Sequence, residues 1–253
     1  MAGIGYKPPM AIDYRPAPEN EVLYGLHTVA EALKNPKRKF VSLLASKNAA
    51  DRMGADIAAS GLQPQEIHPR DLDRITGPEA VHQGLLLEAK PLRQPRLDQI
   101  AREGVAVVLD QVTDPHNVGA ILRSCAAFAV TALITTSRNS PEATGVLLKA
   151  ASGAYEHVPF VKVTNLHRAL EELREYGFRL IGLDSEADGI IDDVDPQPPL
   201  ALVLGAEGKG LRQLTQKTCD QVVRLDLPGE IKSLNVSNAA AIALHALRRR
   251  AVS

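Results

Sequence analysis

The chain has 253 residues, enough for one large domain or two small ones. Apolar residues make up 45% and charged residues 23%, and the formal net charge of −1 argues against nucleic-acid binding through bulk charge, although it is compatible with a local basic patch. The two cysteines form no CxxC pair, and no apolar run approaches the roughly 20 residues that span a bilayer, so we expect no disulfide framework, no metal site and no membrane segment.

Residues 1–20 contain four prolines and no apolar signal-peptide core, so we expect a flexible or draped tail on a cytoplasmic protein. Residues 21–91 then alternate between patterns that are typical of helices and of strands. Helices are predicted over 25–35 and 48–61, strands over 39–46 and 83–89, and a short extended piece over 64–69. These elements predict a compact α/β module, and we expect the proline-containing, basic stretch at 92–103 to be a linker.

From residue 104 to residue 253, apolar strand patterns alternate with helical patterns. Strands are predicted over 104–110, 131–136, 157–163, 178–184, 199–205 and 221–227. Helices are predicted over 117–129, 142–151, 165–176, 209–217 and 235–249. This alternation is typical of an α/β domain with a parallel, helix-covered sheet, whose ligand site lies outside the carboxyl ends of the strands. We therefore expect a site at the loops after Asp110, Leu204 and Leu225.

The first of these loops reads DQVTDPHNVGAILRSCAAF, in which Asp114-Pro115 predicts a turn and Asn117 is a favourable N-cap. One face of the helix that follows is apolar and is formed by Val118, Ile121, Leu122, Cys125 and Ala129. Arg123 lies beside this face, and its neighbours one helical turn away are alanine and glycine residues. Arg123 is either a surface residue on an alanine-rich helix or a guanidinium that reaches an anion at the mouth of the sheet.

The second loop, LGAEGKGLR, places Gly205, Gly208 and Gly210 after a buried strand. Their GxxGxG spacing matches neither the dinucleotide fingerprint GxGxxG nor a Walker loop, although glycines still allow the backbone to approach a ligand closely. Glu207 lies between these glycines, where it either caps a turn or orients a partner such as an arginine.

The third loop contains Ser233, Asn235, Ser237 and Asn238 just before a helix. One capping side chain is enough to start a helix, so this number of hydrogen-bonding residues exceeds the structural requirement. The helix itself has alanines at 239, 240, 241, 243 and 246, which pack either within the chain or against a second subunit.

Three blocks in this order, DPHNVGAILRSCAAF, LVLGAEGKGLR and SLNVSNAAAIAL, resemble the three motifs of the SpoU (TrmH-like) RNA ribose 2′-O-methyltransferases of the SPOUT superfamily. The region from YGLHTVAEAL to VHQGLLLEA resembles the RNA substrate-binding domain of the subgroup that methylates guanosine in 23S ribosomal RNA. The resemblance implies S-adenosylmethionine as cofactor, RNA as partner and a deep trefoil knot in the 104–253 domain. It also implies a homodimer with its active site at the subunit interface.

By the same resemblance, the catalytic residues are Asn117, Arg123, Glu207, Ser233 and Asn235. The residues implied to contact the cofactor, largely through their backbone, are Leu204, Gly205, Ala206, Leu225, Leu227, Leu234 and Asn235. Arginine is a poor base because its pKa exceeds about 12, so our hypothesis is that Arg123 binds the substrate phosphate and stabilises developing alkoxide charge. Asn117 and Glu207 would orient its guanidinium, and Ser233 and Asn235 would position cofactor and ribose. No histidine or carboxylate of the three motifs is an obvious proton acceptor; His116 is the nearest candidate, and its alternative role is to shape the turn before the helix.

RNA binding needs positive charge locally, and the run KNPKRKF places Lys34, Lys37, Arg38 and Lys39 together in the N-terminal module. This run is either a solvated charge cluster or an RNA-binding patch. We predict that it assists the binding of ribosomal RNA.

Three other functions are compatible with parts of the sequence. A nucleotide-binding oxidoreductase would share the parallel sheet, but the chain lacks GxGxxG with an acidic residue about 20 positions later. A non-catalytic RNA-binding protein would not need Arg123, Glu207 and Asn235 together. A transfer RNA ribose 2′-O-methyltransferase would use the same motifs, and only the N-terminal module favours 23S ribosomal RNA over it.

Overall fold

The structure is a computed structural model that describes residues 14–138 and 141–251. The chain divides into two compact units, the first ending at Leu92 and the second beginning at Arg93. None of the helices in this described part combines the length and the apolar composition needed to cross a bilayer.

A four-stranded sheet forms the centre of the N-terminal unit, with the strand order β1-β4-β2-β3. Its elements are β1 (Glu21–Tyr24), α1 (Leu26–Lys34), β2 (Phe40–Ala45), α2 (Lys47–Arg52), α3 (Gly54–Ser60), β3 (Gln65–Glu66), α4 (Pro69–Thr76) and β4 (Leu85–Ala89). The central strand β4 pairs antiparallel with β1 and β2, and it is buried along its whole length. Leu44, Ile67, Leu72 and Leu86 pack together as a hydrophobic core.

The predicted helix over 25–35 and the predicted strands over 39–46 and 83–89 are confirmed. The single helix predicted over 48–61 is wrong, because the chain breaks at Met53-Gly54 into α2 and α3, and glycine is unfavourable inside a helix. Helix α4 was not predicted from the sequence, because its few apolar residues lie among charged ones. Its available signals are Pro69 at the first helical turn and Gly77 just past the end.

Residues 14–20 of the predicted tail pack against the N-terminal sheet through the buried carboxylate of Glu88. This carboxylate accepts hydrogen bonds from the hydroxyl of Tyr14, the amide of Ala17 and the side-chain amide of Asn20. Burial raises the pKa of Glu88, but the hydrogen bonds that it accepts outweigh burial and hold the pKa below its usual value. Residues 14–20 are therefore held in place, while the rest of the predicted tail lies outside the described residues.

A parallel sheet forms the centre of the C-terminal unit, and its strands in the described residues follow the order β7-β6-β5-β10-β8-β11-β9. Its strands are β5 (Val105–Asp110), β6 (Ala132–Thr136), β7 (Phe160–Val163), β8 (Arg179–Leu183), β9 (Gly189–Ile190), β10 (Leu200–Gly205) and β11 (Gln221–Arg224). Its helices are α5 (Pro115–Ala127), α6 (Gly145–Ala151), α7 (Leu166–Glu175), α8 (Gln213–Thr218) and α9 (Val236–Ala251). Every neighbouring pair of strands is parallel, so the predicted parallel α/β sheet is confirmed.

The six strands predicted for this unit are all present, but three helices begin two to four residues away from the predicted position, and one of them, predicted from 142, begins at Gly145. The helix predicted from 117 begins at Pro115, because Asp114 and not Asn117 caps it by accepting a hydrogen bond from the amide of His116. Since α5 ends at Ala127, Ala129 lies beyond it and is exposed, whereas the other four residues of the predicted apolar face are buried. The helix predicted from 209 begins at Gln213, because the glycine loop extends further than its spacing suggests.

Helices α5 and α9 pack against each other, and Ala240, Ala243 and Ala246 of α9 are buried within the chain. Phe128, just past α5, meets the ring of His245 edge-on, with centroids 6.2 Å apart. For these three alanines, intramolecular packing is therefore the correct interpretation. Ile242 on the same helix stays 45% exposed.

Candidate active site

The site lies where neighbouring strands of the C-terminal sheet end side by side. In the parallel register of β5 and β10, Asp110 lies opposite Gly205. This register places the segment that leads into α5 next to the glycine loop, which we define as residues 205–212. The packing of α9 on α5 brings the start of α9 to the same edge.

The glycine loop is a tight reversal of the chain. The amide of Gly210 donates to the carbonyl of Ala206 at 3.0 Å, and a Cβ at Gly205 would lie 2.2 Å from the carbonyl carbon of Gly210. Gly208 and Gly210 have φ values of 75° and 62°, a region that side chains with a Cβ rarely adopt. The glycine spacing therefore sets the shape of a loop that presents Glu207 as an exposed side chain.

Three predicted site residues, one from each loop, form a hydrogen-bonded cluster that we call the polar cluster: Asn117, Glu207 and Asn235. The Nδ2 group of Asn235 donates to Oδ1 of Asn117 at 2.9 Å and to Oε2 of Glu207 at 3.4 Å. The Nδ2 group of Asn117 donates to the same Oε2 at 3.4 Å. Asn235 is fixed in turn, because its Oδ1 accepts from the amide and the hydroxyl of Ser237 at 2.9 and 2.6 Å.

Two cavities open beside the polar cluster. The first, of about 460 Å³, is lined by Ser233 and by six of the seven residues implied to contact the cofactor, Leu204, Gly205, Ala206, Leu225, Leu227 and Leu234. The second, of about 450 Å³, is lined by Asp114 and Asn117 among others. Ala206, Glu207, Lys209 and Val236 line both cavities. Glu207 therefore stands between the two cavities.

Arg123 does not join the polar cluster within one chain. It lies six residues after Asn117 on α5, which corresponds to a rise of about 9 Å and a rotation of about 240° around the helix. Its side chain is exposed and makes no hydrogen bond or ion pair with the residues described by the structure. The expected contacts from Asn117 and Glu207 to its guanidinium are therefore not formed inside the chain.

Neither cysteine is a candidate nucleophile. Burial raises the pKa of Cys125, which lies inside α5. Burial, together with the nearby charge of Asp220, raises the pKa of Cys219 to about 12. Both side chains are therefore thiols at neutral pH, and only a thiolate is nucleophilic.

The predicted basic patch in the N-terminal unit is only partly exposed. Lys34, Lys37 and Lys39 are exposed, and Lys34 pairs with Glu31 on the same helix at 3.1 Å. Arg38 is different, because its side chain is fully buried and pairs with Glu21. We therefore correct the predicted patch to the three lysines and assign Arg38 a structural role.

The SpoU rRNA Methylase family model matches residues 104–245, a span that contains all three loops. The chain belongs to this family. A second family model, RNA 2′-O ribose methyltransferase substrate binding, matches residues 22–95 of the same chain.

Relatives within the SpoU family match the chain over nearly its whole length. Proteins named 23S rRNA (guanosine-2′-O-)-methyltransferase RlmB from Yersinia pestis and Vibrio cholerae are 37% and 38% identical, over 91% of this chain and 98% of their own lengths. A structure of the SpoU methyltransferase AviRb from Streptomyces viridochromogenes with AdoMet matches with a TM-score of 0.78 and 23% identity, over 93% of this chain and 91% of that one. An rRNA methyltransferase from Sinorhizobium meliloti matches with a TM-score of 0.77 and 22% identity, over 93% and 89%. These structures confirm the α/β fold.

Sequence reasoning missed several charged residues around this SpoU site. Asp110 and Asp184, at the ends of β5 and β8, bind the backbone of the glycine loop, and Arg212 pairs with Asp110. Lys209 lines both cavities. The available signal for the two aspartates was their position directly at the ends of buried strands in a parallel sheet.

Proposed function

We propose that this chain is an S-adenosylmethionine-dependent methyltransferase that modifies the ribose 2′-OH of a guanosine in 23S ribosomal RNA. The observation that carries this proposal is the polar cluster, in which one residue from each SpoU motif meets the others between two adjoining cavities. The names of the relatives that match the whole chain support the choice of substrate.

The first cavity suits S-adenosylmethionine in size and in chemistry. Its volume of about 460 Å³ falls in the range of roughly 300–1,000 Å³ typical of cofactor sites. Leu204, Leu225 and Leu234 offer an apolar wall for a flat base, while Glu186 and Glu230 offer acceptors for hydroxyl and ammonium groups. When bound, this cofactor supplies the methyl group that the ribose oxygen receives.

Glu207 is well placed to orient the ribose. Its Oε2 atom is held by amide donors from Asn117 and Asn235, which fixes the direction of the carboxylate. Its Oε1 atom accepts no hydrogen bond from the part of the chain that the structure describes, and is available to a hydroxyl in the second cavity. Orienting the reacting hydroxyl in this way is a large source of rate enhancement, up to about 7–11 kcal/mol for well-aligned groups.

We also propose that the enzyme is a homodimer in which Arg123 completes the site of the other subunit. Arg123 is exposed, has no partner among the described residues and lies on the wrong side of α5 to reach its own polar cluster. A guanidinium on a second copy can bind the substrate phosphate and stabilise charge on the ribose oxygen. The exposed Ile242 on the neighbouring helix α9 offers apolar surface for such an interface.

The N-terminal unit is proposed to hold the RNA. Its match to the substrate-binding family model and the exposed Lys37 and Lys39 support this role, because phosphate contacts dominate RNA affinity. A protein that modifies ribosomal RNA is expected to act in the cytoplasm.

Methyl transfer from labelled S-adenosylmethionine tests the proposal. The purified chain should place label in 23S ribosomal RNA as 2′-O-methylguanosine, Glu207→Gln should lower the rate of labelling by about 100-fold, and the exposed control Glu171→Gln should retain it. Label in transfer RNA alone would contradict the proposal that 23S ribosomal RNA is the substrate. A chain that binds the cofactor but labels no RNA would overturn the function.

A further inference from the structure

The glycine loop is held by carboxylates from the two strands that flank it. Strand β10 lies between β5 and β8, so the loop emerges between the ends of those strands. Where the loop returns, the amide of Leu211 donates to Oδ2 of Asp184 at 3.4 Å, and the next amide, of Arg212, donates to Oδ2 of Asp110 at 3.1 Å. Two consecutive backbone amides are thus bound by carboxylates from the strands on either side of β10. We call Asp110 and Asp184 the carboxylate clamp.

Asp110 is the more deeply buried half of the clamp. Its side chain is fully buried, and its Oδ1 atom accepts from Nε of Arg212 at 2.6 Å. A buried carboxylate is costly unless it is paired and hydrogen-bonded, and Arg212 supplies both the charge and the hydrogen bonds. Removing either Asp110 or Arg212 therefore frees the returning end of the glycine loop where it lies beside β5, the strand that leads towards Asn117.

Asp184 holds the other side of the loop and lines the first cavity. Its Oδ2 atom also accepts from Nε2 of Gln216 at 2.8 Å, and its Oδ1 atom accepts from the amide of Glu186 at 3.0 Å. A Cβ at Gly210 would lie 2.7 Å from Oδ2 of Asp184, and the φ of 62° at this position also favours glycine. Both carboxylate oxygens are thus occupied by protein groups, so Asp184 shapes the cavity wall through the loop.

We infer that Asp110 and Asp184 are positioning residues for methyl transfer, an inference that rests on the proposed function. They hold the returning end of the loop that carries Glu207 between the two cavities. Asp110 does not line the first cavity among the described residues, so its loss should disturb Glu207 and leave cofactor binding intact. Asp184 does line that cavity, so its loss should also weaken cofactor binding.

The test compares Asp110→Asn and Asp184→Asn with Asp98→Asn, an exposed aspartate paired with Arg96. Asp110→Asn should lower kcat by up to about 100-fold, the effect of misplacing a reacting group by about 1 Å, and change the Kd of S-adenosylmethionine by less than about twofold. Asp184→Asn should lower kcat and weaken that Kd about tenfold or more, an effect of the size that loss of supporting contacts has at metal sites. Asp98→Asn should match the unmodified protein in both.

A double-mutant cycle with Glu207→Gln separates positioning from general stability. If Asp110 acts through Glu207, then adding Asp110→Asn to Glu207→Gln should lower the single-turnover rate no further. An undiminished effect of Asp110→Asn in the Glu207→Gln background would overturn the inference. If Asp110→Asn does not fold, Arg212→Lys, which keeps the charge and removes the Nε donor, carries the same comparison.

Amide hydrogen exchange tests the carboxylate clamp independently of the proposed function, because it measures the loop and not methyl transfer. Residues 205–212 should exchange faster in Asp110→Asn and Asp184→Asn than in Asp98→Asn, whether or not any RNA is methylated. Unchanged exchange there would overturn the clamp while leaving the proposed function standing. Faster exchange in a chain that methylates no RNA would overturn the proposed function and, with it, the catalytic meaning of the clamp.

Discussion

Asn235 has two roles, as the cap of α9 and as an amide donor in the polar cluster, and substitutions that separate these roles test the polar cluster directly. Its Oδ1 atom accepts from the amide of Ser237 at the start of α9, which is an N-cap. Its Nδ2 group donates to Asn117 and Glu207. Asn235→Ala removes both roles, whereas Asn235→Ser keeps a capping oxygen and removes the amide donor.

The two substitutions should differ in stability. Loss of an N-cap side chain costs about 1 kcal/mol. The hydrogen bond to Asn117 is short at 2.9 Å and contributes about 1 kcal/mol, while the longer one to Glu207 adds little. Asn235→Ala should therefore lower the free energy of unfolding by about 2 kcal/mol, a fall in Tm of about 4–8 °C for a chain of this size. Asn235→Ser should lose about half as much.

The two variants should differ in stability but not in the rate of methyl transfer. Both variants remove one of the two amide donors to Glu207 and the hydrogen bond that positions the other donor, Asn117, so both should lose methyl transfer to the same extent, up to about 100-fold. Thermal unfolding followed by circular dichroism and single-turnover methyl transfer at 25 °C measure the two quantities. If Asn235→Ser recovered activity in step with its recovered stability, Asn235 would be a helix cap only and the reasoning would be refuted.

Three further predictions use other parts of the chain. Arg123→Ala should lower kcat by about 100-fold or more without changing cofactor Kd, and near-normal turnover in methyl-transfer assays would contradict its assignment. Reversing the charge of Lys37 and Lys39 should weaken binding to 23S ribosomal RNA and reduce the salt dependence of affinity by about two phosphate contacts, while Lys217→Glu should not; filter binding at several salt concentrations distinguishes them. Because hydrogen bonds hold the folded-state pKa of Glu88 below its ordinary value of 4.5, its stabilising contribution is present above that pH and lost as pH falls through the lowered value. Glu88→Gln should therefore show less acid destabilisation than the unmodified chain in urea titrations, and an identical pH dependence would count against this role.

Much of the fold was predictable because apolar strands and amphipathic helices alternate regularly after residue 104. The buried strands β5 and β10 are almost entirely aliphatic, which is typical of a parallel sheet covered on both faces. The prediction of a site at three loops also follows from sheet topology, since the carboxyl ends of parallel strands share one edge. The polar cluster therefore lies where the sequence led us to expect it.

The errors have local physical causes. Asp114 and Asn117 are both good N-caps, and spacing alone does not reveal that Asp114 accepts the hydrogen bond that starts α5. In the sequence, Arg38 is one of four neighbouring cationic residues, and only the fold shows that its side chain is buried and paired with Glu21. The positions of Asp110 and Asp184 at strand ends mark them as candidates, but the loop amides that they bind lie far away in sequence, so no local pattern reveals those contacts.

We propose that this chain methylates the ribose of a guanosine in 23S ribosomal RNA through Glu207 and its polar cluster. The most direct test is to map 2′-O-methyl groups in ribosomal and transfer RNA from a strain that lacks the gene. One 2′-O-methylguanosine should disappear from 23S ribosomal RNA in this strain and return with the unmodified chain but not with Glu207→Gln. An unchanged set of marks in 23S ribosomal RNA, with a mark lost from transfer RNA alone, would contradict it.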